Sequence, residues 1–260
     1  MIGACDILWI TLDSLRYDVA ARALEAGQTP NLARLMPEGR WQKRLTPGCF
    51  TYSAHHAFFA GYLPTPVEPG LHPRRFACRF AGSQTTGPDT VVLDAASVPE
   101  GLSELGYHTL CIGGVGFFNP GTPLGRVLPG LFQESVWRPE LGVTALDSTA
   151  HQVREAVERM RRRPRQQRIF LFLNVSATHQ PTVGYVPGAT VESVDTQQAA
   201  LAYADSQLPP LLEAMAERGP VFAVACADHG TCHGEDGYWG HRQSHPLLWT
   251  VPYTEAMWTG

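Results

Sequence analysis

Polar residues that could carry chemistry follow two apolar segments of this chain. Asp13 comes directly after residues 7–12, and Asp228 and His229 follow the apolar run that starts at Val221. In an open α/β sheet, ligands bind beyond the carboxyl ends of the strands. A carboxylate from one strand and an Asp-His pair from another can therefore share one cation, and this donor set suits zinc or manganese. Taken separately, Asp13 also fits a helix cap and Asp-His-Gly also fits a turn.

A third candidate is Thr51, which precedes an apolar helical stretch ending near Gly61. A hydroxyl at a helix N-terminus lies where backbone N–H groups and the helix dipole favour an anion. A coordinated divalent cation can activate such a hydroxyl as a nucleophile. His55 follows one helical turn later and could face the substrate, whereas His56 points elsewhere. On this segment alone, a threonine that only caps the helix is the simpler interpretation.

The elements that must position these residues are predicted from the apolar pattern. Nearly continuous apolar runs predict buried strands at residues 7–12, 109–112, 169–175 and 221–225. Such runs are typical of a mostly parallel sheet that is covered on both faces. Helical patterns lie between them, at residues 30–35, 98–105, 144–160 and 196–218. Pro209 and Pro210 interrupt the last pattern, which predicts two helices or one kinked helix. The alternation predicts one α/β domain over residues 1–260, doubly wound, with its sheet sandwiched by helices.

The composition narrows the classes of function. The chain has 260 residues, 44% of them hydrophobic and 17% charged, as in ordinary soluble globular proteins. A net charge of −4 gives no general attraction to nucleic acid or to an anionic membrane. The apolar N-terminal run is too short to span a bilayer and lacks the basic start of a signal peptide. The six cysteines form no CxxC pair. We therefore expect a cytoplasmic protein that binds a small molecule and neither nucleic acid nor membrane.

Four segments, in this order, resemble the alkaline-phosphatase superfamily, especially its sulfatase, phosphonate-hydrolase and phosphodiesterase branch. They are ILWITLDSLRYD followed by TPNLARL, the helix around Thr51, GYHTLCIGG, and CADHGTCHGEDGYWGHRQSHPLLWTVPY. The family places its nucleophile ten residues before the glycine and thirteen before the proline of a TGxxP-like ending. Counting back from Gly61 and Pro64 gives Thr51 in both cases. The segments span nearly the whole chain, and the resemblance implies an alkaline-phosphatase-like core.

The resemblance also implies roles for individual residues. It assigns the metal ligands, which are Asp13, Thr51, Asp228 and His229. Thr51 is in addition the nucleophile, and His179 and His241 correspond to residues that contact the transferred group. Together with His55 they form the expected substrate-binding set. We expect one tightly bound divalent metal, zinc or manganese before calcium. A second metal would need an Asp-x-x-x-His set, and Asn174 with His179 has the wrong residue and spacing.

Departures from the family pattern favour phosphorus over sulfur. Sulfatases mature a Cys or Ser inside a CxPxR-type signature, but the segment at Cys49 lacks both the Pro and the Arg. Ser14 stands where sulfatases commonly carry a second acid, and the GYxT strand continues into Gly113 and Gly114 rather than Gly-Lys. We therefore expect a metal-dependent hydrolase of a phosphate monoester, diester or phosphonate ester with a threonine nucleophile. The alternatives are a sulfatase with a modified Cys49, a phosphotransferase with a non-water acceptor, and a catalytically silent metal-binding homologue.

The chain is short for this superfamily and ends soon after the VPY motif. It therefore resembles the catalytic core without the usual C-terminal subdomain. We expect a substrate pocket that is open, or that another subunit completes in a homo-oligomer. Two segments are predicted to shape specificity: the Pro-, Gly- and Arg-rich residues 64–90, and residues 113–120 with Phe117 and Phe118.

Overall fold

The fold is built on a mixed, mostly parallel sheet, and the computed structural model describes residues 2–61 and 96–259. The strands are β1 (Asp6–Leu12), β2 (Gln42–Leu45), β3 (His108–Ile112), β4 (Glu134–Val136), β5 (Ile169–Val175), β6 (Val221–Cys226), β7 (Cys232–His233), β8 (Trp239–Gly240) and β9 (Thr250–Trp258). Seven of them form one sheet in the order β2-β9-β6-β1-β5-β3-β4, and β7 pairs with β8 alone. Strand β1 lies at the centre, parallel to both β5 and β6. Strands β9 and β2 close one side with antiparallel pairs.

Helices cover both faces of this sheet. They are α1 (Tyr17–Glu25), α2 (Pro30–Ala33), α3 (Thr51–Ala60), α4 (Val98–Glu104), α5 (Ser148–Arg161), α6 (Val194–Gln207), α7 (Pro209–Ala216) and α8 (Pro246–Trp249). One core cluster joins the sheet to α1, α5, α6 and α7, and a second joins it to α3 and α4. The predicted doubly wound α/β architecture is therefore confirmed. No helix in the described ranges is both long and apolar enough to cross a membrane.

Strand β5 shows why the strand signals in the sequence are nearly continuous. Leu171 and Leu173 point into the first core cluster, whereas Phe170 and Phe172 point into the second. All four side chains are almost fully buried. Each such burial contributes about 1.5–3 kcal/mol, so both faces of a central strand select apolar residues. The only polar residue of this strand is Asn174, which lies next to its carboxyl end.

Most predicted elements agree with the structure, and two details differ. The four predicted strands match to within one residue at each end, and the proline-interrupted helical pattern is two helices, α6 and α7. Thr29 directly precedes α2, where threonine often caps a helix, but its side chain does not cap this one. The carboxylate of Asp205 does so instead, accepting from the backbone N–H groups of Leu32 at 2.7 Å and Asn31 at 3.1 Å. The other five strands were not predicted: β2, β4, β7, β8 and β9. In β9, Pro252 is a residue that normally argues against a strand inside a sheet. The predicted excursion at residues 64–90 lies outside the described residues.

Candidate functional site

The predicted ligands meet at one edge of the sheet because their strands are neighbours. Asp13 directly follows β1, and Asp228 follows β6 by two residues. In the parallel register of these strands, Thr11 pairs with Cys226. One ligand atom from each of Asp13, Asp228 and His229 lies within 4.8 Å of the others, and all three side chains are buried. The structure thus brings together residues that are more than 200 positions apart in sequence.

Thr51 adds its hydroxyl to this cluster. It is the first residue of α3, so Phe50 rather than Thr51 occupies the capping position. Its Oγ1 atom lies 3.4 Å from Oδ2 of Asp13 and 3.4 Å from Nε2 of His229. The side chain is 1% exposed. The hydroxyl is therefore directed at the ligand atoms and not at the helix backbone.

The orientation of His229 leaves one ring nitrogen free for a metal. Its Nδ1 atom lies 2.8 Å from the carbonyl oxygen of Gly230, which requires the proton on Nδ1. The lone pair of Nε2 therefore points toward the cluster, as is usual for a metal-binding histidine held by an outer partner. Gly230 itself is required by close packing, since a Cβ atom there would lie 1.9 Å from the carbonyl oxygen of Leu247.

The hydrogen bonds accepted by the carboxylate oxygens of Asp13 and Asp228 test whether a cation fits between them. In Asp13, Oδ1 accepts from the Ser14 hydroxyl and Oδ2 accepts from Asn174, both at 3.0 Å. In Asp228, Oδ1 accepts from the backbone N–H groups of Ser14 and His229, both at 3.0 Å. Its other oxygen, Oδ2, is buried and accepts no hydrogen bond from any described residue. A buried carboxylate oxygen without a partner is costly, and a cation beside it would remove that cost.

The electrostatics of the cluster support the same conclusion. Burial raises the pKa of Asp228 well above its usual value, and the negative charge of Asp13 raises it further. Burial also acts against the ionised form of Asp13, but nearby His179 and His229 and the hydrogen bond from Asn174 lower its pKa. Two buried carboxylates beside one neutral imidazole carry an excess of negative charge. Together with Thr51 they form a mixed oxygen and nitrogen donor set that suits zinc or manganese.

His55 does not face the cleft, although its spacing from Thr51 predicted that it could face the substrate. Its side chain is fully buried behind the ligands, packed against Phe59 and Phe172. Its Nδ1 atom lies 2.7 Å from the carbonyl oxygen of Thr51, and Nε2 lies 3.3 Å from Oγ1 of Thr11. Burial lowers its pKa to about 4. The predicted contact with substrate is therefore corrected: one helical turn from Thr51 carries this side chain toward the sheet, away from the opening.

A cleft of about 310 Å³ opens above Thr51. Its remaining walls are formed by Val115, Gly116, Phe117, Thr122, Leu124, Gly125, Val143, His179, His241 and Arg242. The His241 ring lies 4.7 Å from that of His229 and 5.3 Å from that of His179, measured between centroids. The two histidines assigned from the resemblance therefore border the same cleft as the hydroxyl. Phe117 also lines it, whereas Phe118 is buried in the second core cluster.

Two site residues were not assigned from the sequence. Asn174 contacts Asp13, and its signal was a lone amide in an otherwise apolar strand. Arg242 lines the cleft, and its only signal was its position directly after His241. His245 lies outside the cleft lining, because its Nδ1 atom accepts from the N–H of Leu247 and caps α8.

Comparison with known proteins gives structural neighbours only. No family profile and no curated protein matches this sequence. Among solved structures, the fold is similar to the C-terminal periplasmic domain of phosphoethanolamine transferase EptC from Campylobacter jejuni, with a TM-score of 0.64 and 12% identity over 97% of this chain and 78% of that one. It is also similar to a protein in the alkaline phosphatase superfamily from Vibrio parahaemolyticus, with a TM-score of 0.57 and 16% identity over 98% and 60%. The chain has the alkaline-phosphatase superfamily fold.

Two further solved structures are also similar to this fold. The lipoteichoic acid synthase LtaP from Listeria monocytogenes has a TM-score of 0.61 and 14% identity, over 97% of this chain and 65% of LtaP. The C-terminal periplasmic domain of EptC from Escherichia coli, solved in complex with zinc, has a TM-score of 0.62 and 13% identity over 97% and 72%. This chain spans less than two thirds of LtaP and of the Vibrio protein.

Proposed function

We propose that this chain is a metal-dependent enzyme that cleaves phosphate esters with Thr51 as its nucleophile. One observation carries the proposal: the Thr51 hydroxyl lies at the base of a cleft, 3.4 Å from both Asp13 and His229. The alternative is a purely structural role, in which the buried polar cluster only stabilises the fold. The unpartnered Oδ2 atom of Asp228 argues against it, since a structural cluster gains stability only when its buried polar atoms are satisfied.

Four residues would hold the metal, and they are Asp13, Thr51, Asp228 and His229. A bound divalent cation would lower the pKa of the Thr51 hydroxyl and neutralise negative charge on the ester oxygens. The protein supplies the geometry for this chemistry. Gly230 fixes the tautomer of His229, and Ser14 and Asn174 fix the two carboxylates by hydrogen bonds.

The reaction has two half-reactions. In the first, Thr51 Oγ1 forms a bond to phosphorus while the bond from phosphorus to the leaving oxygen breaks. The hydroxyl proton is released and the leaving oxygen takes up a proton, so charge is conserved. In the second, an oxygen of water attacks phosphorus, the bond to Thr51 breaks, and the threonine regains its proton. This is covalent catalysis by an activated hydroxyl.

His179 and His241 are proposed to hold the oxygens of the transferred group. Burial, together with the neighbouring His229 and His179, lowers the pKa of His241 to about 3. A neutral imidazole at pH 7 still donates one N–H hydrogen bond. We therefore assign His241 the stabilisation of a developing negative charge by hydrogen bonding rather than by its own charge.

A second candidate is transfer to an alcohol in place of water. It is favoured by the names of two structural neighbours, which are a phosphoethanolamine transferase and a lipoteichoic acid synthase. The first half-reaction is common to both candidates, and only the attacking oxygen of the second differs. Phosphorus NMR of the products, with and without a series of added alcohols, separates them, because transfer produces a new phosphorus ester that depends on the acceptor.

The test of the main proposal uses four 4-nitrophenyl esters: a phosphate monoester, a phosphate diester, a phosphonate monoester and a sulfate. The protein is reconstituted with zinc, manganese or calcium. Metal-dependent release from a phosphorus ester supports the proposal. Release from the sulfate alone would contradict it and favour a modified Cys49, which mass spectrometry of that peptide detects. If protein that binds metal releases 4-nitrophenol from none of the esters, with or without a range of alcohol acceptors, it is a catalytically silent homologue.

A further inference from the structure

Arg242 carries an unpaired charge at the rim of the cleft. Its guanidinium has no hydrogen-bond acceptor and no carboxylate within 4.0 Å among residues 2–61 and 96–259. Most of the other arginines in the described ranges have such partners. Arg16 pairs with Asp18, and Arg218 pairs with Asp6. An unpaired guanidinium that borders a cleft is free to bind an anion through two parallel hydrogen bonds.

The backbone holds Arg242 in place beside the nucleophile. Its φ angle is 73°, a left-handed conformation that is uncommon for a residue other than glycine. Its N–H donates to the carbonyl oxygen of Cys49 at 3.0 Å, two residues before Thr51. The loop that carries His241 is thereby joined to the segment that leads into α3. The side chain of Arg242 is exposed, so a ligand can reach it.

The other residues that line the cleft indicate which substrate groups it accommodates. Phe117, Leu124 and Val143 are apolar, and none of the described lining residues is an aspartate or a glutamate. The nearby carboxylates of Asp13 and Asp228 are buried and do not line the cleft. The described part of the cleft therefore offers apolar contacts and one free positive charge, with no group that would neutralise an ammonium.

We propose that Arg242 forms a specificity subsite for a second anionic group of the substrate. The inference rests on the proposed function and names its substrate class: a phosphate ester that carries a carboxylate, phosphate or sulfate in addition to the phosphorus group that reacts. An ester whose second substituent ends in a cation binds poorly. Arg242 is a specificity residue and takes no part in the bond changes at phosphorus.

The test uses three 4-nitrophenyl phosphodiesters whose second alcohol ends in a carboxylate, a hydroxyl or an ammonium group. We expect kcat/KM to fall in that order, with about a tenfold preference for carboxylate over hydroxyl, carried by KM. Arg242→Gln should abolish the preference and leave the hydroxyl ester within about twofold of wild type, whereas Arg242→Lys should keep part of it. Arg40→Gln, at an exposed position paired with Glu38, is the matched control. An equal loss for all three esters, or a preference that survives Arg242→Gln, would overturn the inference.

A binding measurement separates this inference from the proposed function. Titration calorimetry compares 3-phosphonopropionate with n-propylphosphonate on zinc-loaded protein, and neither compound can be turned over as an ester. Tighter binding of the carboxylate compound, by about tenfold and only when Arg242 is present, supports the subsite even if no ester is cleaved. Equal affinity for the two compounds, or no binding of either, contradicts the subsite whatever the outcome of the ester panel.

Discussion

Asn174 donates a hydrogen bond from Nδ2 to the Oδ2 atom of Asp13 at 3.0 Å, and both side chains are fully buried. The other end of the same amide accepts from the N–H of Val115 at 3.0 Å. Val115 lines the cleft. One side chain thus connects a proposed metal ligand to the wall of the cleft. The amide provides both a donor and an acceptor, which a carboxylate at this position would not do.

We predict that Asn174→Ala lowers the affinity for zinc about 10- to 100-fold, because the carboxylate of Asp13 loses the partner that orients it. The free energy of unfolding should also fall by about 1–3 kcal/mol, since the N–H of Val115 is left without its acceptor. Chelator competition and urea denaturation measure the two effects. Asn119→Ala, at an exposed turn where the side chain accepts from Gly121, is the control. Unchanged zinc affinity in Asn174→Ala would refute the positioning role.

Thr51→Ala should lower kcat on the best phosphorus ester about 10³-fold or more, because the oxygen that attacks phosphorus is removed. Zinc content should remain near that of the wild type, since Asp13 and His229 are still present. Thr51→Ser, which keeps the hydroxyl, should retain much of the activity. Ser53→Ala is the control, since that hydroxyl lies in the same helix and donates to the carbonyl oxygen of Phe50. Activity of Thr51→Ala close to that of the wild type would remove Thr51 from the mechanism.

Asp228→Asn should have opposite effects with and without metal. In metal-free protein it removes one of two buried carboxylate charges, so we expect the melting temperature to rise by about 2–4 °C, which corresponds to roughly 1 kcal/mol. With zinc at 100 times its Kd, the wild type should gain about 2.7 kcal/mol, and the variant should gain far less. Thermal melts with and without zinc measure this, with Asp147→Asn at an exposed position as the control. Equal stabilisation of both proteins by zinc would exclude Asp228 as a ligand.

Glu134 should make the fold sensitive to acid. Burial alone would raise its pKa, but hydrogen bonds from Arg159, Arg163 and His108 lower it to about 2. Because the folded pKa lies below the unfolded value of about 4.5, this stabilisation is present above pH 4.5 and is lost as the pH falls toward 2. Glu134→Gln should therefore lower the free energy of unfolding by about 1–3 kcal/mol at pH 7, and by much less at pH 3. Urea denaturation at both values measures this. The same loss at both pH values would contradict the ionic origin, and the exposed Glu140→Gln is the control.

The sequence by itself determined the central strands and the positions of the proposed metal ligands. Strands β1, β5 and β6 are buried on both faces, and this requirement produces apolar runs that can be recognised locally. Asp13 and Asp228 follow two of these runs almost directly, so parallel pairing of the strands brings them to the same edge. Strand β9 lies between β2 and β6, and its own residues do not show which strands it pairs with. Because Pro252 also argues against a strand, β9 was not predicted.

Only the tertiary structure decided which side chains face the proposed metal site and which face the cleft. Thr51 and His229 are 178 residues apart, and the direction of the hydroxyl depends on how α3 packs against the sheet. The same packing buries His55 against Phe172, although its spacing from Thr51 allowed either side. Arg242 became a site residue because a backbone hydrogen bond holds its loop against Cys49. Residue type and spacing fix which groups can meet at the end of a strand, but the orientation of each group depends on contacts between elements that are distant in sequence.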